Sequence, residues 1–172
     1  GVHQYLAGRK QSHFNTYTPL TLAETASVFG EMLTFKNILK HAQNKKEKKV
    51  LLANKVEDML NTVVRQIAFY EFEKNIHEMR KKSELSVEQI CSIWIDVQKR
   101  SLGPSIKFDY EYRYYWTYIP HFIHSPFYVY AYAFGDCLVN SLYKIYENGF
   151  DNFQQKYIHL LESGGSKKYN EL

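Results

Sequence analysis

Apolar residues recur along this chain at intervals of three and four, the spacing of one face of an α-helix. An opening helix is predicted from Gly1 to near Gly8, followed by a polar loop through Asn15. Thr18 and Pro19 read as N-cap and first helical position of a second helix running to about His41. Val28, Met32, Phe35 and Leu39 form its apolar side. The run Lys45–Lys49 marks a turn or an exposed face before a long third helix. That helix carries a stripe of Leu52, Val56, Met59, Leu60, Val63 and Ile67. Ser86-Val87-Glu88-Gln89 has the form of a capping box and opens a fourth helix bearing Ile90, Cys91, Trp94 and Val97, stopped by Gly103-Pro104. Residues 105–126 lack a period and are dense in tyrosine, so they read as loop. A fifth helix is predicted from about Phe127 to Asn148, with Gly149 as its stop, and a sixth from Asp151 to about Glu162. The tail from Ser166 to Leu172 reads as the start of a further helix. The fold class is all-α.

Composition narrows the class. A chain of 172 residues with 45% hydrophobic and 16% aromatic side chains can bury a sizeable core and reads as one helical domain. A net charge of +4, without a basic stripe, argues against nucleic acid as the partner. Arg113 among Tyr110, Tyr112, Tyr114, Tyr115 and Tyr118 could stack on bases, but that arrangement alone makes no binding groove. No apolar stretch reaches the length of a membrane span. Cys91 and Cys137 lack metal-ligand spacing and suit a reducing, cytoplasmic setting.

Two groups of residues could carry chemistry. Glu24 and Glu31, seven apart on the predicted second helix, would emerge on one face about 10 Å from each other. Two readings stand: Glu24 closes a capping box with Thr21 while Glu31 is solvated, or both acids serve a site. The apolar neighbours Ala23, Ala26, Val28 and Phe29 favour the second, because burial makes an unpaired acid costly. The other group is His121 and His124, between Pro120 and Pro126, with Tyr128 and Tyr132 on one face of the fifth helix. Gly135 continues that face without a side chain, leaving room for a ligand or a neighbouring backbone. This group is either an aromatic core helix or a set of hydroxyl and imidazole donors facing a developing oxyanion. Tyr130 points elsewhere and reads as packing. His77-Glu78-Met79-Arg80-Lys81 opens like a zinc-binding helix but has Lys81 where a second histidine is needed.

Gly1-Val2-His3-Gln4-Tyr5, Leu22-Ala23-Glu24-Thr25-Ala26-Ser27, Pro120-His121-Phe122 and Phe127–Tyr132 together resemble the thimet oligopeptidase superfamily of zinc peptidases, and most closely its oligoendopeptidase F branch. In that family an H-E-x-x-H helix runs directly into the equivalent of Gly1–Tyr5. The resemblance implies that Glu24 is a zinc ligand and that Glu31 orients a ligand histidine. It further implies that His121, Tyr128 and Tyr132 are catalytic donors on the substrate side. Two histidine ligands of the one zinc ion, and the general base, are expected upstream of Gly1. The chain is therefore expected to be the C-terminal part of a zincin-type catalytic domain, truncated at both ends and inactive alone. Its expected partners are an oligopeptide substrate and the N-terminal part of the peptidase. The alternative is a non-catalytic helical module that self-associates or binds a partner protein.

Overall fold

A computed structural model describes residues 1–168 and 171, and every regular element among them is helical. The all-α expectation is borne out. The chain forms two compact units, one of Gly1–Asn54 with the chain from Phe134 onward, the other of Lys55–Ala133.

The first unit contains α1 (Val2–Lys10), α2 (Leu20–Ala23), α3 (Thr25–His41), the start of α4 (Lys45–Met59), most of α8 (Tyr130–Glu147) and α9 (Phe153–Glu162). Phe29 on α3 is its anchor, stacked on Tyr157 at 4.5 Å between ring centroids and on Phe153 at 5.9 Å. Met32 and Val139 complete this core. The half-buried Tyr157 hydroxyl donates to the Thr25 carbonyl at 3.2 Å, and desolvation pushes its pKa up to about 12. A ring as fully buried as Phe29 contributes about 1.5–3 kcal/mol, and each ring pair about 0.5–1.5 kcal/mol more.

The predicted second helix is broken at Glu24, which caps both α2 and α3 with φ −93° and ψ −1°. At the junction the Ser27 hydroxyl donates to Glu24 Oε2 at 2.8 Å and to the Glu24 carbonyl at 3.0 Å, and the same carbonyl accepts the Val28 amide at 3.0 Å to start α3. Thr21 lies inside α2, whose N-cap is Pro19, so the Thr21 capping box does not form. The lysine run opens α4 as an exposed helical face, capped by Asn44, whose Oδ1 accepts from the Glu47 amide at 2.9 Å.

The second unit holds the end of α4, a π-helical turn (Leu60–Arg65), α5 (Gln66–Arg80), α6 (Val87–Leu102), a 3-10 helix (Tyr110–Tyr118), α7 (His121–His124) and the first residues of α8. Phe69, Phe72, Trp94, Val97 and Val129 form its core, with Tyr112, Trp116 and Phe122 packed against it. The indole N–H of Trp94 donates to the Tyr112 carbonyl at 3.0 Å, so burial leaves no orphan there. The Ser86–Gln89 capping box forms as predicted, and Gly103 ends α6.

Three expectations in this region need correction. The stripe Leu52, Val56, Met59, Leu60 and Ile67 is exposed, Val56 and Leu60 each at 56%. The π-turn supplies the reason: its extra residue rotates the apolar face, so the stripe does not continue into the buried Ala68, Phe69 and Phe72. Residues 105–126 contain helix after all, because the 3-10 turn packs its aromatics at i and i+3. The fifth and sixth helices begin at Tyr130 and Phe153, each preceded by a residue at φ 59°, Phe127 and Asn152. In the tail, residues 166–168 are not helical, and positions 169, 170 and 172 lie outside the described residues.

Two positions in the first unit generate predictions. A Cβ at Gly135 would lie 3.1 Å from Glu24 Cβ, with the Glu24 backbone within 3.9 Å, so the glycine admits a neighbouring backbone. Gly135→Ala should lower stability by about 1–2 kcal/mol in denaturant titration. Gly30→Ala in α3, where nothing lies within 4 Å, should raise it by about 0.5–1 kcal/mol. His3 is buried with neither ring nitrogen hydrogen-bonded, and burial lowers its pKa from 6.5. The unfolded chain therefore binds the proton first. Stability should be full above pH 6.5 and fall by up to about 1.4 kcal/mol per pH unit below it, down to the folded-state pKa. His3→Leu should flatten that dependence in thermal melts.

Candidate active site

In the second unit the sequence-predicted donors come together. Pro120 caps the one-turn helix α7, which starts with His121, and Pro126 closes the segment. Phe127 then turns the chain through φ 59°, Tyr128 follows, and Tyr132 lies in the first turn of α8. The rings of Tyr128 and Tyr132 are 5.4 Å apart in a T-shaped arrangement. His121 stacks on Tyr128 at 5.8 Å and 21°, and meets Tyr132 edge-on at 5.8 Å. His121 Nε2 lies 3.3 Å from the Tyr132 hydroxyl.

The tautomer decides what this pair can do. With the proton on Nδ1, Nε2 accepts from Tyr132. With the proton on Nε2, His121 donates and the tyrosine hydrogen turns toward a third group. The three side chains are half-buried, so they combine solvent access with restricted rotamers. Tyr128 precedes the helix rather than lying on it, so the shared helical face was the wrong geometry for a correct neighbourhood. Tyr130 packs edge-on against Tyr70 at 5.8 Å, as expected for a packing residue, and His124 is exposed.

Glu24 and Glu31 belong to the first unit. Glu24 is half-buried at the α2–α3 junction with Oε2 bonded to Ser27, while Glu31 is exposed on α3. Glu24 is the N-cap of α3, and its carbonyl accepts the Val28 amide at 3.0 Å. Among the described residues no three His, Cys, Asp or Glu side chains form a group that could hold a metal ion. A catalytic zinc needs three protein donors, and one Glu24 carboxylate does not supply them. This chain's own residues do not fit a resident zinc.

Sequence reasoning missed Glu73. It is 2% exposed on α5, and its Oε1 accepts from the Phe127 amide at 2.6 Å. Burial raises its pKa, against the opposing pull of that amide and of the His77 and His121 charges. The available signal was an acid in register with Phe69, Phe72 and Ile76 on one helix face. Asp136 is likewise buried, with Asn140 Nδ2 donating to its Oδ2 at 3.1 Å.

The chain matches the model of peptidase family M3 over residues 1–172. It is 38% identical over 167 residues to an oligoendopeptidase F homolog of Borreliella burgdorferi, covering 96% of this chain and 28% of that protein. It is 30% identical over 168 residues to the oligopeptidase PepF of Bacillus subtilis, covering 96% and 25%. The crystal structure of oligoendopeptidase-F from Enterococcus faecium superposes with a TM-score of 0.75 at 25% identity, covering 95% of this chain and 30% of that one. The chain thus spans between a quarter and a third of the length of these relatives. No helix of the described residues is long and apolar enough to cross a membrane. With the family model matched over residues 1–172, the chain belongs to peptidase family M3.

Proposed function

We propose that this chain is the C-terminal part of the catalytic domain of a cytoplasmic zinc oligopeptidase, and that it lends substrate-side donors to peptide-bond hydrolysis. The observation that carries this reading is the convergence of His121, Tyr128 and Tyr132 within 5.8 Å between ring centroids. When a peptide carbonyl becomes tetrahedral, negative charge grows on its oxygen. A preorganised phenol or imidazole N–H aimed at that oxygen is worth more in the transition state than in the ground state. Tyr128 takes this role, with His121 stacked against it and Tyr132 bonded to His121. The 3.3 Å His121–Tyr132 distance is long for such a bond, as expected before substrate tightens the site. Glu24 would supply one carboxylate to a zinc centre whose two imidazoles come from sequence outside these 172 residues, and Glu31 would orient one of them. Alone, the chain lacks that set and is inactive.

A second reading, a self-associating helical module, is favoured by the exposed stripe Leu52, Val56, Met59, Leu60 and Ile67. Sedimentation of the isolated chain separates the two. A stable monomer up to about 100 μM, where weak apolar interfaces still associate, contradicts self-association.

The peptidase reading is tested by fusing this chain to the N-terminal portion of the Borreliella burgdorferi relative and following cleavage of a quenched fluorescent oligopeptide. The chimera should be active and inhibited by chelators. Glu24→Gln should abolish turnover. Tyr128→Phe should lower kcat by about 100-fold with KM changed less than about threefold, the pattern of a lost transition-state interaction. A change confined to KM would remove Tyr128 from the oxyanion role.

A further inference from the structure

We propose that Glu73 is the positioning residue of the His121–Tyr128–Tyr132 cluster, acting through its hydrogen bond to the Phe127 amide; this rests on the peptidase reading above. Glu73 and His77 stand one turn apart on α5 and grip the same residue from two sides. Glu73 Oε1 accepts the Phe127 N–H at 2.6 Å, and the His77 ring lies 4.6 Å from the Phe127 ring. Phe127 sits at φ 59°, a conformation that side chains larger than glycine rarely adopt and that surrounding contacts must impose.

The grip falls where it controls the site. Phe127 lies between α7, which carries His121, and Tyr128, whose amide bonds back to the Ser125 carbonyl at 3.2 Å. The Tyr128 carbonyl in turn accepts from Ala131 at 2.9 Å and leads into the turn of α8 that carries Tyr132. The orientation of one peptide plane therefore sets the exit of both aromatic donors. An acid is costly among Phe72, Ile76 and Phe122, and a purely structural role would favour an apolar side chain there. The second oxygen, Oε2, is buried without a hydrogen-bond partner, so Oε1 and its bond to the Phe127 amide carry the carboxyl's hydrogen bonding. Only one acceptor oxygen is required, and glutamine also carries one.

The test compares Glu73→Gln with Glu73→Leu. In the isolated chain, the Phe127 amide should exchange with solvent at least about 100-fold more slowly than an unprotected amide. Gln should preserve that protection, and Leu should abolish it while shifting the His121 and Tyr128 ring resonances. In the chimeric enzyme, Leu should lower kcat at least about tenfold with KM within about threefold, and Gln should recover kcat to within about twofold. Should the Leu variant not fold, exchange at Phe127 in the native chain and the Gln variant still decide the matter. A freely exchanging Phe127 amide, or ring resonances unmoved in the Leu variant, overturns the proposal. An active chimera whose kcat survives Leu overturns it while leaving the peptidase reading intact. An inactive native chimera with a protected Phe127 amide overturns the peptidase reading and the catalytic purpose of the grip.

Discussion

Phe122 is the side chain on which the position of the His121–Tyr128–Tyr132 cluster depends. It packs against Phe72 at 5.0 Å, Phe69 at 5.7 Å and Trp94 at 6.4 Å, so one ring ties the four-residue helix α7 to both α5 and α6. A helix of one turn has no stability of its own, since nucleation costs more than its few hydrogen bonds return. Only tertiary packing holds it, and the partly buried Phe122 is its contact with the core. His121, the neighbouring residue, inherits its position from that packing. The aromatic richness of this chain is thus a means of fixing a short irregular segment with large rigid side chains, where regular backbone bonding is absent.

The same segment shows how packing and polarity divide the work. Aromatic burial fixes α7, but it cannot choose the direction of a peptide plane. A hydrogen bond to a buried carboxyl can, and Glu73 accepts it from the Phe127 amide. In the first unit, Gly135 admits the Glu24 backbone while Ser27 holds the Glu24 carboxyl. Phe127 and Glu24 are thus each held by a neighbouring side chain.

Much of the helical order was legible, because the 3.6-residue period and the Ser86 and Gly103 signals are local. The proximity of His121, Tyr128 and Tyr132 was legible too, through their closeness in sequence around the Pro120–Pro126 bracket. What escaped was everything set by tertiary contact. The break at Glu24 interrupts a stretch whose apolar period runs on without a change. The exposure of Val56 and Leu60 needs the π-turn, which no apolar period announces. Tyr128 was placed on a helix because propensity says nothing of a phenylalanine held at positive φ. Glu73 was overlooked because an acid on an apolar stripe looks like an interruption until its distant amide is known.

The peptidase reading requires Tyr128 to recognise a tetrahedral oxygen more strongly than a planar one. The direct measurement is inhibitor binding to the chimeric enzyme, comparing a phosphinic peptide with the peptide it mimics, before and after Tyr128→Phe. A transition-state donor predicts about 100-fold weaker phosphinate binding and less than about threefold change for the peptide. Equal losses for both ligands, or none for either, would contradict it.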